Sequence, residues 1–311
     1  MTTHKYIPLS GREFPRFSAL KSFFRLPYVD VSDDYEVALF GVPFDGGVSY
    51  RPGARFAPTH VRQASSLGRG FHWSRSINIF QNKKFADVGD CSTVPISIDQ
   101  TYDKIEKFVE TLLVKKKKFI AVGGDHSITL PILRALHKYH KTKLGLIHFD
   151  AHLDTYPAAW GCEYHHGSFA RHAIEEGLVD PKKMTQIGIR GPLADVSDLA
   201  FIDKHQICVK TMDDIRDVQL KDFLNELPVF DDDTPVYISF DIDSIDPAYA
   251  PGTGTPVPGG LTSYEVQRIL RHLRIKNMVG GDIVEVLPAS DHADITALLA
   301  VDVMFEMMCL I

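Results

Sequence analysis

Leu144-Gly145-Leu146-Ile147-His148-Phe149-Asp150-Ala151-His152-Leu153-Asp154 is the stretch on which the fold turns. Its first half, Leu144–Phe149, is a short and almost continuous apolar run. A strand with one wet face would alternate apolar and polar residues, so this run reads as a strand buried on both faces. Its second half is charged and follows without a break. Open α/β sheets place ligand sites just beyond the carboxyl ends of their strands, and the stretch therefore reads as strand, then site.

Working outward, comparable runs occur at Val37–Phe40, Phe85–Val88, Phe119–Val122, Thr185–Ile189, Gln206–Val209, Val236–Phe240 and Met278–Val286. Helical spacing of apolar residues marks Tyr102–Lys115, Leu130–Tyr139, Tyr264–Leu273 and Ile295–Met308, with Asp294 placed to cap the last. Alternating strands and helices predict an α/β fold with a mostly parallel sheet. No Pro/Gly/Ser-rich linker divides the chain. Residues 35–311 are expected to form a single domain after an irregular, proline-punctuated N-terminal arm over residues 1–34.

Composition narrows the function. The chain of 311 residues is 44% hydrophobic and 24% charged, an ordinary globular balance. A net charge of -6 disfavours a general nucleic-acid binder, which needs a basic field. No segment approaches the roughly 20 apolar residues of a membrane span, and Met1–Arg12 lacks the apolar centre of a signal peptide. Cys91, Cys162, Cys208 and Cys309 form no CxxC pair and read as reduced thiols. A cytoplasmic protein with no nucleic-acid or membrane partner is the expectation.

Three polar clusters each follow a predicted strand: Gly123-Gly124-Asp125-His126, then His148-Phe149-Asp150-Ala151-His152-Leu153-Asp154, then Asp241-Ile242-Asp243 with Asp246 beyond. In extended backbone, residues i, i+2 and i+4 project to one side, so Asp150, His152 and Asp154 are expected to converge, as are Asp241 and Asp243. With His126 they make four carboxylates and two imidazoles, too many charges to gather beside a sheet without cations. A lone D-x-D is usually a pair of ordinary turn residues. Three such clusters at strand ends point instead to two metals sharing bridging carboxylates, with Mn²⁺ favoured over Co²⁺, Ni²⁺ or Zn²⁺ for this donor set.

GGDHS (Gly123–Ser127), DAHLD (Asp150–Asp154) and SFDIDSIDPAYAPGTGTPVPGGL (Ser239–Leu261) resemble, in order, the three signature blocks of the ureohydrolases, the arginases and agmatinases. The similarity runs from about Asp34 to the C-terminus. It is closer to agmatinases, given Arg51-Pro52-Gly53-Ala54-Arg55-Phe56 and Gly161-Cys162-Glu163-Tyr164. The resemblance implies a three-layer α/β/α domain with an eight-stranded parallel sheet, assembled as homotrimers or homohexamers. It implies a Mn²⁺ pair held by His126, Asp150, His152, Asp154, Asp241 and Asp243. It also implies that His166 is a proton shuttle and that Glu285 holds a guanidinium. From the residues alone His166 is an isolated histidine, whereas Glu285 ends an apolar run where an unpaired carboxylate would be costly.

The expected reaction is metal-assisted hydrolysis of a guanidino compound to urea and an amine. A metal ion can lower the pKa of water from about 15.7 towards about 7, and Asp154 or Asp243 could relay a proton to the leaving amine. Family arginases carry an asparagine two residues after the last aspartate of DAHxD, to hold the α-carboxylate. Tyr156 stands there in this chain and disfavours arginine. Glu163 could meet the ammonium of agmatine, and His165 could attract the carboxylate of a guanidino acid. The loop Tyr156–Gly161, with Trp160, reads as a specificity element. Agmatine leads this reading, followed by 4-guanidinobutyrate or 3-guanidinopropionate. A catalytically silent regulator of polyamine metabolism should have lost a ligand, and none is lost.

Overall fold

The computed structural model describes residues 5–311. Eight strands form one sheet: β1 (Val37–Val42), β2 (Phe85–Asp90), β3 (Lys118–Gly123), β4 (Leu144–Phe149), β5 (Val179–Ile189), β6 (Cys208–Thr211), β7 (Val236–Asp241) and β8 (Met278–Val284). Their spatial order is β2-β1-β3-β8-β7-β4-β5-β6, and every neighbouring pair is parallel. The strands alternate their side chains between two cores. Val37, Leu39, Ile120, Val122, Ile147 and Phe149 pack to one side, while Ala38, Phe40, Phe119, Ala121, Leu144 and Leu146 pack to the other. Helices Ala57–Ala64, Ser263–His272 and Ile295–Met308 cover the first face. Helices Ile98–Val114, Thr129–His140 and Phe169–Glu175 cover the second, which completes three layers. Two-sided burial explains the unbroken apolar runs of the inner strands. Each fully buried Leu, Ile, Val or Phe contributes about 1.5–3 kcal/mol.

The helices Ala57–Ala64, Phe169–Glu175 and Asp198–His205 are absent from the sequence reading, and for the predicted elements the differences lie at their ends. Strand β5 starts at Val179 rather than Thr185, because Asp180, Pro181, Lys182 and Lys183, which bulge out of its pairing with β4 between Val179 and Met184, hide its pattern. Strand β6 starts at Cys208 rather than Gln206. Gln206 is left-handed (φ 55°) and closes the helix Asp198–His205. Strand β8 stops at Val284, because Glu285 turns left-handed with φ 61°. The cap of the last helix is also reassigned. Asp294 is left-handed with no side-chain cap bond, and Asp291 accepts the N–H groups of Thr296 and Ala297 at 2.9 and 3.0 Å. The chain turns once more between Asp291 and the helix, so the carboxylate three residues earlier reaches the open N–H groups. Before β1, Phe23, Phe24 and Leu26 are buried in the first core, and the Phe23 N–H donates to Asp87. Residues 1–4 of the predicted arm lie outside the described residues. The four cysteines are free, and among the described residues no helix is long and apolar enough to cross a membrane.

Candidate functional site

The four central strands β3, β8, β7 and β4 end side by side, and the chain beyond each carries a charged group inward. Gly123-Gly124 leads β3 into Asp125 and His126. A side chain at Gly124 would put its first carbon 1.5 Å from the Phe44 carbonyl oxygen, so only glycine lets the backbone pass there. His126 Nδ1 lies 3.1 Å from a carboxylate oxygen of each of Asp150, Asp154 and Asp241. His152 Nδ1 lies 3.2 Å from Asp150 and 3.1 Å from Asp243. Asp150 turns one oxygen to each histidine. The six residues thus form two adjoining donor sets with Asp150 common to both.

They do not converge through strand alternation. Strand β4 ends at Phe149, and the backbone folds tightly through Asp154, which is left-handed at φ 50°. Asp150 holds that loop by accepting the His152 N–H at 2.6 Å. Asp241 closes β7, and Asp243 lies in the 3-10 turn Ile242–Ser244, its N–H donating to Asp241 at 2.8 Å. Side chains spaced by two converge because the carboxylates cap their own turns, a habit of Asp that strand periodicity does not describe.

The protonation of His126 can be followed bond by bond. Tyr237 and Thr129 donate to one oxygen of buried Asp282, and the Ser239 hydroxyl donates to the other at 2.7 Å. With its only proton so used, Ser239 must accept from His126 Nε2 at 2.8 Å. Neutral His126 then presents the bare lone pair of Nδ1, buried and without a hydrogen bond, to three carboxylates. Only a positive charge relieves that contact: a proton, or a metal ion. Burial works against a charged imidazole, but Asp150, Asp154 and Asp241 outweigh it and hold the His126 pKa well above its ordinary value. Burial, with Asp243 and Asp150 beside it, pushes the Asp241 pKa well up. An oxygen-rich set with imidazole suits divalent cations, so the residues present fit a metal pair.

Outside this set, His148 Nε2 bonds Asp150 at 2.8 Å and its Nδ1 meets the Gln186 amide nitrogen at 2.9 Å. Gln186 also donates to the Leu153 carbonyl at 2.6 Å, which fixes the direction of its amide. Nδ1 of His148 is therefore the acceptor, and Nε2 carries the proton given to Asp150. Sequence reasoning gave no role to His148, Gln186, Ser239 and Asp282. A signal was present for His148, Ser239 and Asp282, polar residues inside largely apolar strands, but not for Gln186, whose strand also carries Asp180, Lys182 and Lys183; all four are fully buried.

Glu285, buried, joins this cluster to His166. One of its oxygens accepts the His126 N–H and bonds His166 Nδ1, both at 2.9 Å, while no donor is bonded to the second among the described residues. His166 Nε2 meets the Ser49 hydroxyl at 2.7 Å. Burial lowers the His166 pKa, but the Glu285 carboxylate prevails and raises it to about 9. A cleft of about 460 Å³ opens here, lined by His152, Asp154, Asp241 and His166 and by Tyr156, Trp160 and His165. His165 Nε2 donates to the Pro157 carbonyl at 3.0 Å. Glu163 does not join the cleft. It is exposed, and its backbone carbonyl is bonded to His172. Among the described residues, no carboxylate lines the cleft outside the His–Asp cluster.

The sequence model of the arginase family matches residues 35–309. Guanidinopropionase of Pseudomonas aeruginosa is 42% identical over 305 residues, covering 98% of this chain and 95% of that protein. Agmatinase of Cronobacter sakazakii is 42% identical over 295 residues, covering 92% and 91%. The solved structure of proclavaminate amidino hydrolase from Streptomyces clavuligerus superposes with a TM-score of 0.89 at 41% identity, covering 94% of this chain and 97% of that one.

Proposed function

The chain belongs to the arginase family, and from that premise we propose that it is a two-metal hydrolase cleaving a short guanidino compound to urea and an amine. One observation carries the reading: the bare Nδ1 of His126 facing three carboxylates, with Glu285 bonded to the His126 N–H and to His166. His126, Asp150, Asp154 and Asp241 would hold one ion, and Asp150, His152 and Asp243 its neighbour, with Mn²⁺ the preferred metal. Bound there, the pair supplies hydroxide from water at neutral pH.

The rest falls to the chain. The open oxygen of Glu285 accepts N–H groups of the substrate guanidinium in charge-assisted hydrogen bonds, turning the planar carbon toward the His–Asp cluster. The same residue keeps His166 protonated through neutral pH, so His166 can deliver a proton to the departing amine nitrogen. Asp154, between the cluster and the cleft, is placed to pass a proton the same way.

The placement of Glu163 changes the reading of the substrate tail. The carboxylate on which agmatine rested points to solvent, whereas His165 and Tyr156 line the cleft. The Tyr156 hydroxyl can donate to a carboxylate, as can Nδ1 of His165 once its ring is protonated, since Nε2 already serves the Pro157 carbonyl; on that ground 4-guanidinobutyrate or 3-guanidinopropionate moves ahead of agmatine. Arginine stays last, because Tyr156 lacks the amide that would hold an α-carboxylate. Urea release by chelated and Mn²⁺-reconstituted protein tests this on these four compounds. Urea should form only with metal, with a guanidino acid turned over fastest. No urea from any of the four, with two metals bound, would sink the enzymatic reading. A clear agmatine preference would overturn only the tail assignment.

A further inference from the structure

The largest cleft outside the catalytic side has the opposite electrostatic character. It measures about 720 Å³ and lies between residues 8–16, the Phe24–Arg25 turn and the Gly68–Phe71 segment, with Asn78 at one side. Four arginines line it, Arg12, Arg16, Arg25 and Arg69, and no carboxylate does among the described residues. In a chain of net charge -6 that is a local reversal of sign.

Arg25 is the unusual member. Only 4% of it is exposed, and among the described residues its side chain makes one hydrogen bond, from Nη1 to the Phe14 carbonyl at 3.0 Å. Its Nε and Nη2 are buried and have no partner among the described residues. A guanidinium is always charged, and leaving its donors unmet in a dry site is costly. Arg62, the other buried arginine among the described residues, is bonded to Asp87, Asp90 and the Gly89 carbonyl, and only Arg25 leaves two nitrogens unmet, against one each in the less buried Arg75 and Arg268. Arg25 also sits at φ 60° directly after Phe24 at φ 53°, two left-handed residues that hold its side chain in this position. Beside it, Arg16 is tied through Nη1 to the carbonyls of Ser66 and Gly68 at 2.6 and 3.1 Å, which leaves the rest of its planar fork for another partner. One buried, one half-tied and two exposed guanidiniums around one space match the geometry of an oxyanion, whose oxygens accept paired N–H bonds.

We propose that this cleft binds a small, multiply charged oxyanion, either a phosphate or a polycarboxylate, with Arg25 as its buried anchor. The site is separate from the His–Asp cluster and does not depend on the reaction assigned above.

The test uses full-length, metal-loaded protein. Thermal unfolding is followed with inorganic phosphate, with citrate and with chloride at matched ionic strength, and titration calorimetry gives the affinities. Saturating oxyanion should raise the midpoint by about 3–8 °C over chloride. Arg25→Met should weaken binding by about tenfold or more. In anion-free buffer that variant should melt no lower than wild type, because it removes an uncompensated charge. Whichever of phosphate and citrate binds more tightly identifies the ligand class. Phosphate bound at the His–Asp cluster would stabilise wild type and Arg25→Met alike, so the difference between them reads this site. Should Arg25→Met fail to fold, Arg69→Ala at the exposed rim should still lose about threefold or more in affinity. No shift with either anion overturns the proposal, as does binding unchanged in both variants. A smaller assembly for Arg25→Met in sedimentation, without an anion effect in wild type, also overturns it, by giving the arginine to an acidic group of a second copy.

Discussion

Replacing Glu285 by glutamine keeps the volume and removes the charge. The side chain is 2% exposed, and one oxygen already serves the His126 N–H and His166. The glutamine carbonyl can take over that oxygen's place. Its NH₂ must then occupy the position of the open oxygen, where donor would meet the guanidinium donors. A buried ion pair and its hydrogen bonds are lost together, at a cost of about 2–5 kcal/mol, so kcat/KM should fall by about 30- to several-thousand-fold. The loss should be similar for every guanidino substrate, because all present the same group. A second readout follows from His166, whose pKa is raised to about 9 by Glu285 against the effect of burial. Without the carboxylate that pKa falls. If His166 is the proton donor, activity should then fade at lower pH, moving the alkaline limb of the rate profile down. The assay is urea release across pH on Mn²⁺-loaded protein, with metal content measured alongside. Efficiency within about threefold of wild type, or an unmoved alkaline limb, would refute the assigned roles.

Asp243→Ala should bind less than the full metal complement, and added Mn²⁺ should not restore wild-type turnover. Full occupancy with normal rate would remove Asp243 from the ligand set. His166→Asn should keep its metals while turnover drops about 10²–10⁴-fold; loss of an ion measured by elemental analysis would instead make it a ligand. Gln186→Leu strands Nδ1 of His148 and frees the ring that orients Asp150. Metal affinity measured by competition with a chelator should weaken about 10–100-fold, and an unchanged affinity would show that the pair only fills space.

Much of the catalytic edge was legible because burial and charge are local signals. Runs such as Leu144–Phe149 and Phe119–Val122 announce strands wet on neither face, and a charged cluster directly after each marks a ligand edge. His126, Asp150, His152, Asp154, Asp241 and Asp243 come together as their spacing suggested, although capped turns rather than extended backbone achieve it. The weak links were residues whose place depends on a loop. Glu163 and His165 are two positions apart, yet one faces solvent and the other lines the cleft.

The sequence by itself determined the strands, the four longest helices between or beyond them, and the charged groups that would need cations. Each follows from the solvation preferences of residues close along the chain. Only the tertiary structure decided the strand order, which sets β3, β8, β7 and β4 side by side although their residues span 118–284. It alone showed that Ser239 and Asp282 set the proton on His126, and that Gln186 sets the one on His148. It alone left Arg25 buried without a partner for two of its nitrogens. A hydrogen bond between distant residues depends on ångström-scale placement by packed strands, which no pattern of neighbours along the chain encodes.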